Sequence, residues 1–161
     1  MRFSIELSGE SDPSPAPPLL EALSGEFEDY LGGGTLERCR SVSVVLTFAS
    51  AERMRELNSR YRGADESTDV LSFPMWETGG EFVPPDGWRD LPLGDVVVSL
   101  EVVRQNANER DINYNVEVAL VVVHGILHLI GFDHDTEHRR EEMWAEQDRI
   151  LSGYFNRVGG V

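Results

Sequence analysis

The 161-residue chain has no lysine, one cysteine and few aromatic residues (9%), and its apolar runs are short. With only Cys39, an internal disulfide is impossible, which fits a reducing cytosol. The longest apolar stretches, such as 118–123, fall far short of the roughly 20 residues a membrane span needs. The opening MRFSIELSGESD has no apolar segment behind its arginine, so no secretory signal is expected. The expectation is a cytoplasmic protein that does not engage membranes. Basic residues are scarce too: 14 arginines stand against 29 Asp and Glu, a formal net charge of −15. That balance argues against broad, charge-driven nucleic-acid binding, which needs many cations to neutralise phosphates, but leaves room for a local basic cleft. An acidic surface serves solubility, or suits a basic partner protein. Arginine alone suits bidentate phosphate contacts; GC-rich codon usage accounts for the bias equally well.

The elements follow from periodicity and punctuation. Residues 2–7 alternate as a strand, and 8–18 form a Pro/Ser loop. Leu19, Leu20, Leu23, Phe27 and Leu31 mark an amphipathic helix ended by three glycines at 32–34. Residues 41–48, SVSVVLTF, form a β-branched strand. Ser50 caps a helix running to about Tyr61, with Gly63 as its stop. A short strand covers 69–73, a long loop 75–93, and another strand 95–99, followed by a helix to about Asn108. The run 113–130 is almost entirely apolar and β-branched, but its length favours a buried helix capped by Asn113. A last helix starts near Asp135 or Thr136 and reaches about Leu151, before Gly153. With no internal repeat, the expectation is one α/β (α+β) domain over 1–161, with a small mixed sheet of about four strands and about five helices.

All four histidines lie between 124 and 138. His124 and His128 are one helical turn apart and share a face, so both imidazoles can reach one ion. Gly131 permits a sharp turn that returns His134 as a third ligand. Three nitrogens with an open fourth position is the pattern of a catalytic zinc site, whereas structural sites are closed by four protein ligands. Imidazole also suits other transition metals. Buried without partners, two imidazoles on a face of Val, Leu and Ile would be costly, which favours ligation over a packing role. His138 is a fourth-ligand candidate or a solvated residue. Asp133 and Asp135 could orient a ligand, and Asp135 could equally cap the last helix.

The pattern H-x-x-x-H-x-x-G-x-x-H matches the ligand spacing of metzincin peptidases, H-E-x-x-H-x-x-G-x-x-H. The peptidase general base, Glu after the first His, is replaced by Gly125, which removes the main reason to expect peptide hydrolysis.

HGILHLIGFDH (124–134) resembles the H-G-x-L-H-L-x-G-[YF]-D-H signature of the YbeY family of bacterial endoribonucleases, also called rRNA maturation factors. Further blocks are similar to that family. Leu57-Asn58, Tyr61-Arg62, Asp65 and the run 68–74 (TDVLSFP) fit one of them. Leu93-Gly94-Asp95-Val96 with Ser99 fit a second. Met143 and the E-x-x-x-I-L run from Glu146 to Leu151 also match. Together these blocks span roughly residues 55–151. The resemblance implies a zincin-like fold with zinc held by His124, His128 and His134. It implies metal-dependent cleavage of single-stranded RNA in the maturation of rRNA ends and in ribosome quality control, with the ribosome or ribosomal proteins as partners. It also implies a functional arginine, Arg62 by position.

By itself Arg62 reads as a solvated charge at a helix end. With the resemblance it becomes a catalytic phosphate-binding guanidinium, and the metal would polarise a phosphate oxygen or acidify a water. Arg53, Arg55 and Arg60 either extend a basic groove or form an ordinary solvated surface. The rival functions are a zinc peptidase and a non-enzymatic ribosome-assembly factor with a structural metal.

Overall fold

The computed structural model describes residues 1–8 and 17–159. Most of the loop expected over 8–18 lies outside the described residues. Pro17 and Pro18 already belong to helix α1, Pro17–Leu31, where a proline near the start loses no intrahelical bond.

Four strands form the main sheet in the order β1-β2-β6-β3. Strands β1 (Arg2–Ser8) and β2 (Ser41–Phe48) are parallel, and β2 pairs parallel with β6 (Asp90–Val98). Strand β3 (Val70–Pro74) runs antiparallel to β6 and forms the edge. The parallel pairs need crossovers: α1 links β1 to β2, and β2 leads into helix α2 (Ala51–Arg62), capped by Ser50 and stopped by left-handed Gly63 as expected. Along β2, Val42, Val44, Leu46 and Phe48 are buried while the intervening residues are partly exposed, the period-2 signature of a half-buried strand.

The long loop expected over 75–93 is partly ordered. Its Gly79-Gly80 pair, both with positive φ, turns a small hairpin of β4 (Glu77–Thr78) and β5 (Glu81–Phe82). Trp76 packs edge-on against Trp88, and its indole N–H donates to the Pro92 carbonyl at 2.6 Å. Strand β6 begins five residues earlier than Asp95 and carries a bulge where Ser43 and Val45 face Pro92 and Asp95. Gly94 sits in that bulge with φ 138°, and a side chain there would run into the Phe73 carbonyl. Ser99, fully buried, donates its N–H to the Asp69 carbonyl at 3.0 Å and caps helix α3 (Leu100–Arg110).

Helix α4, Tyr114–Leu129, is capped by Asn113 and buried on most of its circumference. It lies against β3 and β6 on one side and α3 and α5 on the other. A helix that is apolar nearly all round belongs in such a setting. Helix α5 (Glu137–Arg157) does not stop at Gly153. It continues because Tyr154 is buried, and Arg157 bonds the Glu26 carboxylate (2.7 Å) and Asp29. Glycine at 153 leaves room for the Glu26 side chain. The helix therefore keeps the roughly 1 kcal/mol propensity cost of glycine in exchange for packing against α1. On the other face of the sheet, Met54 of α2 packs with Leu71 and Val97.

Candidate metal centre

Residues His124 and His128 lie in the last turns of α4, on the flank of the helix that borders edge strand β3. Residue 125 shows how closely the helix approaches the sheet. A Cβ built on Gly125 would lie 2.6 Å from Val96 Cγ1 and 3.0 Å from Val70 Cγ2, and the Ser72 hydroxyl donates to the Gly125 carbonyl at 2.8 Å. The position that carries the base in metzincins is here the contact point of helix and sheet.

The helix ends at Leu129, and Gly131, with φ 99°, reverses the chain. Phe132 N–H returns to the Leu127 carbonyl (3.1 Å), which brings His134 back over the helix end. The Asp133 carboxylate accepts the His134 N–H at 2.7 Å. Arg139 braces this turn from α5, donating to the carbonyls of Gly131 (3.2 Å) and Gly80 (3.3 Å) and pairing with Asp135. One guanidinium thus ties the hairpin to the turn that carries His134.

The three histidines converge: one ring nitrogen from each lies within 4.8 Å of the others. The Nε2 atoms of His124 and His128 are 3.2 Å apart. His124 Nδ1–H donates to Gln147 Oε1 at 3.1 Å, which leaves its Nε2 lone pair pointing at His128. Two such nitrogens are poor company for each other unless a cation or proton lies between them. Their separation suits neighbouring ligands on an ion about 2.0–2.1 Å from each. Burial pushes both imidazoles below the usual 6.5, His128 to about 4 with help from His124; for His124 the Gln147 bond opposes the shift. Both are therefore neutral near pH 7, the form that ligates metals. The donor set fits a transition-metal ion.

Gln147 was not foreseen. It lies on the buried stripe of α5 formed by Met143, Gln147, Ile150, Leu151 and Tyr154; a lone amide within an apolar stripe is the signal that marks it. His138 lies elsewhere: its side chain is 81% exposed and bonds Glu142 at 2.8 Å, so the three-histidine cluster has no fourth histidine. Asp135 pairs with Arg139, and Thr136 caps α5. Asp133 stays at the site.

The triad opens into a cleft of about 530 Å³ lined along one wall by edge strand β3 and also by Tyr61, Arg62, Asp69, Glu77 and Asp133. Arg62, the last residue of α2, is exposed on this cleft. Asn58, buried one turn earlier, donates to the Glu66 carbonyl (2.9 Å), and its own carbonyl accepts from Gly63 and Ala64. That pins the turn following Arg62. Of the neighbouring arginines, Arg53 is paired with Glu56 and Arg55 with Asp65. Among the described residues, Arg60 and Arg62 have no ion pair.

The YbeY family model, described as endoribonuclease YbeY, matches residues 23–154. Curated relatives bearing that name include one from Halalkalibacterium halodurans, 40% identical over 140 residues and covering 84% of each chain. Another, from Bacillus pumilus, is 38% identical over 121 residues, covering 74% of this chain and 76% of its own. A solution structure of TM1509 from Thermotoga maritima superposes with a TM-score of 0.63 at 30% identity, covering 96% of this chain and 91% of that one.

Proposed function

From the premise that this chain belongs to the YbeY family of endoribonucleases, we propose that it is a zinc-dependent endonuclease of single-stranded RNA that acts in rRNA maturation and ribosome quality control, with ribosomal partners. His124, His128 and His134 hold the ion, and Arg62 engages the scissile phosphate. The observation that carries this is the opening of the triad into the cleft where Arg62 stands, without an ion pair among the described residues. When bound, the ion supplies Lewis-acid polarisation of a phosphate oxygen or acidifies a water.

The chain's own residues do the rest. Gln147 holds Nδ1 of His124 protonated, so that Nε2 is presented to the ion. Arg139 steadies the turn bearing His134. Arg62 offers a fork of N–H donors to phosphate oxygens and stabilises the charge that grows on them in the transition state. Near neutral pH the two half-buried members of the triad need no deprotonation before they can ligate.

The test joins elemental analysis to cleavage of a single-stranded RNA. Wild type should carry about one metal per chain. Arg62→Ala should keep the metal and lose roughly 100- to 1,000-fold in kcat, the scale of one transition-state donor. An Arg62→Ala protein that cuts at the wild-type rate would remove the phosphate role. Casein or a peptide library should remain intact under the same conditions.

Gln147→Leu should stay folded and bind the metal about 10- to 100-fold more weakly, the usual effect of removing a group that orients a ligand. Gln147→Glu, which preserves the acceptor, should restore affinity. Competition with a chromogenic chelator measures both; equal affinities for wild type and Gln147→Leu would show the bond to be dispensable.

A further inference from the structure

We propose that Tyr61 is a base-stacking subsite that makes the cleft selective for unpaired RNA; this rests on the nuclease assignment above. Tyr61 is the residue before Arg62 and lines the same cleft as the three histidines. It is 60% exposed, an unusual setting for a large aromatic ring. One side of the ring is anchored: Phe73 of β3 meets it edge-on, with centroids 5.2 Å apart and an interplanar angle of 77°. An aromatic side chain held this way offers contact area at small entropic cost, since only two torsions need fixing.

The chemistry of the neighbours selects the occupant. Arg60 and Arg62 flank Tyr61 in sequence, and among the described residues neither is neutralised by an ion pair, whereas Arg53 and Arg55 are. An exposed ring beside free guanidinium groups, in a protein of net charge −15, is a local match for a ligand carrying both an anion and a flat π-face. A nucleotide has both. With its phosphate at Arg62, a nucleotide can lay a base on Tyr61, and the cleft volume of about 530 Å³ is in the range that holds small ligands. Stacking tolerates any base, because every base has a π-face. It does not tolerate a duplex, whose bases already cover each other's faces. Tyr61 therefore supplies strand-state selectivity without sequence preference, while Arg62 and the metal act on the phosphate.

The experiment uses the full-length, metal-loaded protein. Binding is read by fluorescence of a short 2′-O-methyl oligonucleotide carrying 2-aminopurine, which is quenched when it stacks, as single strand and as duplex. Cleavage of the matching unmodified RNA is read in parallel. Tyr61→Ala should weaken single-strand binding and raise KM about tenfold, within the range for loss of one stacked base. It should leave kcat within about threefold and duplex binding unchanged, so that the preference for single strands shrinks. Tyr61→Trp and Tyr61→Phe should keep wild-type binding. Tyr61→Ala with unchanged KM and affinity, equal losses for single strand and duplex, or a fall confined to kcat would each overturn the subsite while leaving the nuclease assignment standing. A metal-loaded wild type that neither binds nor cuts RNA would remove the assignment and the subsite together.

Discussion

Gly125→Glu, which would complete the H-E-x-x-H sequence of a zinc peptidase, is expected to unfold the protein rather than convert it. The first atom of the new side chain would already lie 2.6 Å from Val96 Cγ1 and 3.0 Å from Val70 Cγ2. Val96, the nearer neighbour, cannot retreat, since β6 is held between β2 and β3 and Val96 is fully buried. Overpacking of this kind costs about 1–3 kcal/mol. A carboxylate forced between helix and sheet adds several kcal/mol of desolvation with no cation beside it. The Ser72 bond to the residue 125 carbonyl would be strained as well. The sum, on the order of 5 kcal/mol, is comparable to the whole stability of a small domain. Gly125→Ala should show the steric part alone, a loss of about 1–3 kcal/mol in urea denaturation. A folded Gly125→Glu protein with the wild-type midpoint would contradict the packing described for α4.

His128→Ala should abolish stoichiometric metal binding and reduce RNA cleavage by at least about a thousandfold, since metal stabilisation of a transition state is worth several kcal/mol and each 1.36 kcal/mol is tenfold. The fold should survive, because the removed ring lines a cleft, keeps part of its surface exposed and lies outside the hydrophobic core. Thermal denaturation with and without a chelator separates the two effects. For wild type at 100 times Kd, metal contributes about 2.7 kcal/mol, so chelation should lower Tm by roughly 5–10 °C in a chain of this size. For His128→Ala the chelator should change nothing. A variant that retained both the metal and the chelator-sensitive Tm would exclude His128 from the ligand set.

These expectations rest on features that were unevenly visible in the amino-acid order. The triad was visible because its geometry is mostly local: four residues along a helix and six across a glycine turn determine where three rings can go. The helix at 114–129 was visible in length and cap, although its β-branched content argued for a strand. Arg62 became a site residue only through neighbouring blocks similar to a known family; by composition it was one arginine of 14. The hairpin at 77–82 had its Gly-Gly signal, but two-residue strands are too short for periodicity to register. The extension of α5 past Gly153 had no local signal, because the contacts that reward it, Arg157 with Glu26 and Asp29, join residues more than a hundred positions apart.

By itself, then, the order of residues determined the buried helix, the three converging histidines and the absence of a base at position 125, since each depends on spacing within a turn or two of chain. Only the tertiary structure decided why position 125 is glycine, which side chain fixes the His124 tautomer, which arginine braces the His134 turn, and that Tyr61 and Arg62 share a cleft with the three histidines. Each of those is a contact between elements distant in sequence. Close packing selects such pairs by shape and by the satisfaction of polar groups, properties that no single segment carries.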